Sequence, residues 1–371
     1  MSDILLLIVD SRYPSAMLPP SLVIGVNPKP VILVLNKVDL IPAELALAWK
    51  SYFQEKYSNI RVTFFTSCPA YNLVRPNYAN QIEQTMQVRR LRGRISMARE
   101  SALQIFQTVQ EILGDENPYD LSSWQEKIQN YKGEEQTQQE ATEECDKFLT
   151  LGLIGHPNVG KSSLINSLMG KRVVSVSKTP GHTKHFQTIF VTPKVRFCDC
   201  PGLVFPSLIP RPFQVVLGSY PISQVREPYS VVQLLAERLD LPSLLKIQNT
   251  SEKPWTTYDI CEAWALKRGY VTARSNRPDI ARAANHVMRM ALEGRLTLCL
   301  RPPDFDKGSW TNHPDLEIIK DLLAMDKVLE KEEAEDEEES DHSETEDDED
   351  DQEEAPITMA KNKFSALDVD C

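Results

Sequence analysis

Leu149-Thr150-Leu151-Gly152-Leu153-Ile154-Gly155-His156-Pro157-Asn158-Val159-Gly160-Lys161-Ser162-Ser163 is the stretch that decides the fold. Leu149 to Ile154 reads as a buried strand, and the apolar spacing of Leu164 to Leu168 reads as a helix. Between them lies Gly155-x4-Gly160-Lys161-Ser162. In a strand–loop–helix context such glycines let backbone N–H groups turn inward around phosphates, and the helix N-terminus adds a favourable dipole. Asn158, Val159, Gly160, Lys161, Ser162 and Ser163 are therefore expected to hold a nucleotide's phosphates. Lys161 reaches the β- and γ-phosphates and Ser162 ligates Mg²⁺ through its hydroxyl.

Downstream, Phe186 to Val191 and Val195 to Cys198 read as a hairpin turning at Thr192-Pro193-Lys194, followed by Asp199-Cys200-Pro201-Gly202. An Asp ending a strand beside a phosphate loop is placed to hold Mg²⁺ through water. Pro201 and Gly202 then border the γ-phosphate, with the Gly202 N–H offered to it. Thr183, within Thr179-Pro180-Gly181-His182-Thr183, supplies a hydroxyl for the metal when the γ-phosphate is present; Thr179 is the lesser candidate. Lys161, Thr183 and Gly202 form the expected catalytic set. Cys198 with Cys200, and His182 with His185, lack a second pair at ligand spacing, so they read as strand and loop residues rather than a metal site.

Upstream, Ile4 to Val9 ends in Asp10, Pro30 to Leu35 ends at Asn36, and Ile60 to Phe65 ends in Thr66-Ser67-Cys68. Short runs, apolar throughout, are the mark of parallel strands buried on both faces, and Pro42 to Tyr57 reads as a crossover helix. After the second strand comes Asn36-Lys37-Val38-Asp39. Asp39 can accept hydrogen bonds from guanine N1–H and the 2-amino group, which adenine cannot offer. Lys37 can lay its stem over the base, and Asn36 can tie this loop to the phosphate loop. Ser67 and Cys68 supply the companion loop, the Cys68 N–H facing guanine O6. Either the base reader and the phosphate loop serve separate sites, or one nucleotide site has been circularly permuted. Each half lacks what the other supplies, which favours one permuted site.

The chain has 371 residues and a net charge of −12. Glu330 to Glu354 holds 18 acidic residues and one basic, −17 in all, so the rest carries about +5. That acidic stretch reads as a disordered, solvated tail. Seven scattered cysteines fit reduced thiols, and Cys371, being last, is no prenylation site. No membrane-length apolar run occurs, and Met1 leads directly into Ser2-Asp3, so a soluble intracellular protein is expected. Gln81 to Leu113 reads as a long helix carrying Arg89, Arg90, Arg92 and Arg94, and Gly133 to Glu144 as a polar linker. Tyr229 to Arg238, Thr256 to Lys267 and Pro278 to Glu293 read as helices. The expected divisions are 1–68 and 148–205 for the two halves of the nucleotide domain, 69–147 for an insert, 206–310 for a helical domain and 311–371 for the tail.

These motifs, in this order, resemble the circularly permuted GTPases of the YlqF/YawG family. The resemblance takes in Asp10-Ser11-Arg12-Tyr13-Pro14, Asn36 to Asp39, Gly155 to Ser162, Pro180 to Thr183 and Asp199 to Gly202. It implies an α/β fold: a permuted P-loop GTPase with a six-stranded, mostly parallel sheet and a C-terminal helical anchoring domain. It also implies GTP and GDP as ligands, Mg²⁺ at Ser162, Thr183 and Asp199, and K⁺ at Asn158. Family members carry a longer basic segment before the first strand, so this chain resembles a shortened form. Leu203 stands where a water-orienting Gln is common, which the family shares and which implies slow hydrolysis. The resemblance further implies a monomer that meets a ribosomal subunit or rRNA, without a membrane, in nucleus, nucleolus and cytoplasm. A scaffold that binds GTP with negligible turnover is the rival expectation.

Overall fold

The computed structural model describes residues 2–18, 29–66, 98–114, 121–130, 148–169, 187–202, 209–248, 254–272 and 277–303, with a few single positions besides. Ser67, Cys68, Thr179, Thr183, Leu203, the Arg89 to Arg94 stretch, the linker and the acidic tail lie outside the described residues.

Six strands form one sheet: β1 (Ile4–Asp10), β2 (Val31–Asn36), β3 (Ile60–Phe65), β4 (Leu149–Gly155), β5 (Gln187–Thr192) and β6 (Val195–Asp199). Their order is β3-β2-β1-β4-β6-β5, with only β5 antiparallel to its neighbour. The two halves join where β1 pairs with β4, from Ile4 opposite Leu151 to Ile8 opposite Gly155. Every residue of β1 and β2 is buried, as their unbroken apolar sequence demands of strands covered on both faces. Because β1, β2, β3, β4 and β6 are mutually parallel, their carboxyl ends share one edge. Ligand loops of α/β sheets lie at that edge.

Helix α1 (Ala43–Lys56) starts after Pro42, whose fixed φ suits a helix entrance, and buries Leu45, Leu47, Trp49 and Phe53. Within the insert, residues 98–113 are helical, as read from sequence. Helix α2 (Ser122–Gln129) was not expected: it is eight residues long and has no side-chain cap. Tertiary packing holds it. Trp124 meets Phe106 and Phe197 edge-on, and its Nε1 donates to the Leu168 carbonyl 2.9 Å away. Leu168 belongs to α3 (Lys161–Met169), the helix that opens from the phosphate loop.

The later helices are α4 (Arg211–Val216), α5 (Tyr229–Ala236), α6 (Thr257–Lys267) and α7 (Ile280–Glu293). A capping box between Thr256 and Asp259 starts α6. Asp279 caps α7, whose apolar stripe Ala283, Ala284, Val287, Met288 and Ala291 is buried, and Gly294 ends it at φ +84°. All of this lies in one compact unit within Met1–Asp326. Among the described residues, no helix is long and apolar enough to cross a membrane.

Candidate nucleotide site

The loops expected to read the base and to hold the phosphates, far apart in sequence, meet at the common sheet edge. Asn36, fully buried, donates from Nδ2 to the Val159 carbonyl of the phosphate loop. Its Oδ1 accepts from the Lys37 N–H at 2.7 Å. Its own carbonyl takes the Ser11 N–H and hydroxyl, at 2.8 and 2.7 Å. The expected tie between the two halves is thus a direct side-chain bond. Gly160, at φ +99°, passes so close that a Cβ would lie 2.2 Å from Asn36 Nδ2. Only glycine satisfies both that backbone and that approach.

Asp39 accepts from the Thr66 hydroxyl at 2.7 Å, which joins the base-reading loop to the end of β3. Thr66 is a buried contributor that sequence reasoning passed over, although it directly precedes Ser67 and Cys68. Lys37 stands at φ +60° with its Nζ 2.8 Å from Asp10 Oδ2. Its ammonium is anchored in the protein, and its aliphatic stem remains for the face of a base. Burial pushes the Asp10 carboxyl up, but Lys37 and Arg12 overcome this and hold it well below the usual carboxylate range. The Asp10–Arg12 pair was quoted in the sequence only for its resemblance. The signal was there: two opposite charges at the end of a fully apolar strand must pair with each other or stay in water.

On the phosphate side, Lys161 is buried and its Nζ lies 3.0 Å from the Gly155 carbonyl and 2.8 Å from that of His156. Burial lowers its pKa, opposed by Cys200 and Asp199. Asn158, at φ +59°, donates from Nδ2 to the Gly218 carbonyl at 3.2 Å. That bond uses the NH₂ and not the amide oxygen, the atom a K⁺ ion requires. Ser162 and Ser163 lie in the first turn of α3. Pro201 and Gly202 follow β6, and a Cβ on Gly202 would stand 2.7 Å from the Pro157 nitrogen, so this segment touches the phosphate loop.

Asp199 is the described residue whose environment bears most directly on a cation. It is completely buried, and Oδ2 accepts from Gln187 Nε2 at 3.1 Å, while Oδ1 has no hydrogen-bond partner among the described residues. Burial accordingly raises its pKa. A buried carboxylate oxygen without a donor is costly unless a positive charge meets it. The chemistry of Asp199 fits Mg²⁺, and Asp199 and Ser162 are the described residues that would hold it.

Residues 150–261 match the family model described as 50S ribosome-binding GTPase. Guanine nucleotide-binding protein-like 1 of Homo sapiens is 44% identical over 355 residues, covering 85% of this chain and 58% of that protein. The chain is similar in sequence to these GTPases, and it carries their motifs in permuted order, Asn36 to Asp39 before Gly155 to Ser162. The Large subunit GTPase 1 homolog of Drosophila melanogaster is 31% identical over 351 residues, covering 85% of this chain and 56% of its own length. The chain thus spans under three-fifths of the curated relatives it matches. Among solved structures, GNP-bound YlqF from T. maritima aligns at TM-score 0.45 and 19% identity, covering 82% of this chain and 94% of that one. For a permuted GTPase, the β1–β4 seam is the physical join between the two relocated halves.

Proposed function

We propose that this chain is a slow GTP-hydrolysing switch, dependent on Mg²⁺ and stimulated by K⁺, that acts on a ribosomal particle. The bond from Asn36 to the Val159 carbonyl carries the reading, because it makes the base reader and the phosphate loop one site. Phosphoryl transfer needs positioning and charge neutralisation more than covalent chemistry. Lys161 neutralises the β- and γ-phosphates once it leaves its loop carbonyls, and the Gly202 N–H and Thr183 hydroxyl complete the γ-phosphate end. Ser162, Thr183 and Asp199 would hold Mg²⁺, which would supply positive charge to offset that of the phosphates. Asp39 sets the base. Leu203 provides no group to orient water, which supports a low intrinsic rate and keeps a non-hydrolysing scaffold as the second reading. The ribosomal partner rests on the names of the matched model and relatives.

The test is to measure GTP, GDP and ATP affinities and single-turnover hydrolysis in KCl and NaCl, with and without purified ribosomal subunits. Guanine preference with faster turnover in K⁺ and with a subunit is expected. Guanine preference with no turnover under any condition would select the scaffold.

A further inference from the structure

Arg12 is 1% exposed, and each of its three guanidinium nitrogens has a hydrogen-bond partner. Nε donates to Asp10 Oδ1 at 3.0 Å, Nη2 to Asp10 Oδ2 at 2.8 Å, and Nη1 to the Ala291 carbonyl at 2.8 Å. Ala291 lies in the last turn of α7, where the helix end is negative, and its carbonyl also takes the Gly294 N–H at 3.4 Å. The same Oδ2 of Asp10 receives Lys37 Nζ at 2.8 Å. One buried carboxylate therefore joins the end of α7 to the loop that reads the base.

The chain beyond α7 reinforces this join. Gly294 lies against Leu40, next to Asp39, so closely that a Cβ would stand 2.6 Å from Leu40 Cδ2. The Leu300 N–H donates to the Arg12 carbonyl at 2.8 Å, and Trp49 Nε1 donates to the Leu300 carbonyl at 3.2 Å. Residues 291 to 300 thus contact Arg12, Leu40 and Trp49. Nothing in nucleotide chemistry requires an arginine at position 12, since Lys37 alone would satisfy one Asp10 oxygen. A planar fork is required to hold both Asp10 oxygens and a helix carbonyl at once.

We propose that Arg12 is a positioning residue for guanine recognition, which makes base affinity depend on how the end of α7 is docked. The role rests on the guanine reading above. Linkage is reciprocal: if docked α7 tightens guanine binding, bound guanine nucleotide tightens α7. A partner that shifts α7 then changes nucleotide affinity without touching the phosphates.

The experiment compares GDP, IDP and ADP affinities for the full chain, together with amide exchange across residues 290 to 296. R12K keeps the charge and one Asp10 contact but not the three-way bridge. G294A perturbs Leu40 from the helical side. IDP lacks the 2-amino group that Asp39 would read, so the IDP-to-GDP ratio of dissociation constants reports the placement of Asp39. Expected in both variants is a fall of ~10-fold in GDP affinity with a smaller fall for IDP, so the ratio shrinks. The slowing of α7-end exchange by GDP should be lost as well. A merely structural role would weaken all nucleotides alike. If R12K fails to fold, judged by circular dichroism, G294A decides. A wild-type preference for GDP over ADP with an unchanged ratio in the folded variants overturns the positioning role alone. No wild-type preference overturns the guanine reading and this role with it.

Discussion

Gly160→Ala adds one methyl group at the point where the two halves of the site meet. Its cost has two sources. Gly160 holds φ +99°, a conformation that costs a non-glycine residue roughly 1–3 kcal/mol. The new Cβ would lie 2.2 Å from Asn36 Nδ2, so Asn36 must rotate away and leave the Val159 carbonyl. Loss of a buried hydrogen bond with a stranded partner costs about 1–3 kcal/mol. The combined penalty is ~3 kcal/mol or more, about two decades in an equilibrium constant. The strain can be relieved by opening the phosphate loop, so the cost should fall mainly on nucleotide binding. Fluorescence titration with a labelled GDP should show at least ~100-fold weaker binding, while the urea midpoint without nucleotide changes much less. GDP affinity within threefold of wild type would refute the claim that the Asn36–Val159 bond unites the site.

Three further outcomes follow from the same geometry. The folded-state pKa of Asp199 is raised by burial, so its ionised form opposes folding, and stability declines as pH climbs through the carboxylate range. Asp199→Asn should therefore keep or raise the urea midpoint without nucleotide, yet lose at least ~1.4 kcal/mol of the Mg²⁺-dependent tightening of GTP; a lower midpoint with Mg²⁺ dependence intact would contradict this. Asp39→Asn removes a charged acceptor of two hydrogen bonds at about 1.5–3 kcal/mol each. GDP affinity should drop at least ~100-fold and xanthine nucleotides should gain, whereas unchanged GDP binding in a competition assay would sink the base-reading assignment. Trp124→Ala should cost ~4 kcal/mol, because the ring is fully buried between Phe106 and Phe197 and bonded to Leu168. Denaturant unfolding reads the loss directly, and a cost below 1 kcal/mol would mean that α2 contributes little to the core.

The legible elements were those whose chemistry is local. Ile4 to Val9 and Val31 to Leu35 are apolar without a break, the pattern of short strands buried on both faces of an α/β sheet. The phosphate loop was equally legible, because its glycines, Lys161 and Ser162 act through backbone spacing over eight positions. Helix α2 was not. Its polar sequence holds Trp124 and Ile128 at helical spacing but no cap, and its stability comes from residues of other elements.

By itself, the order of Asn36 to Asp39 before Gly155 to Ser162 favoured one permuted nucleotide site over two separate ones, since each loop is incomplete alone. The tertiary structure decided how the halves are held. Asn36 reaches Val159 across 123 residues, and Arg12 reaches Ala291 across 279. The physical reason is that a buried charge or amide advertises in sequence only that it needs a partner. Which partner it finds depends on elements brought together by the sheet order and by the packing of α7, and no local spacing encodes that choice.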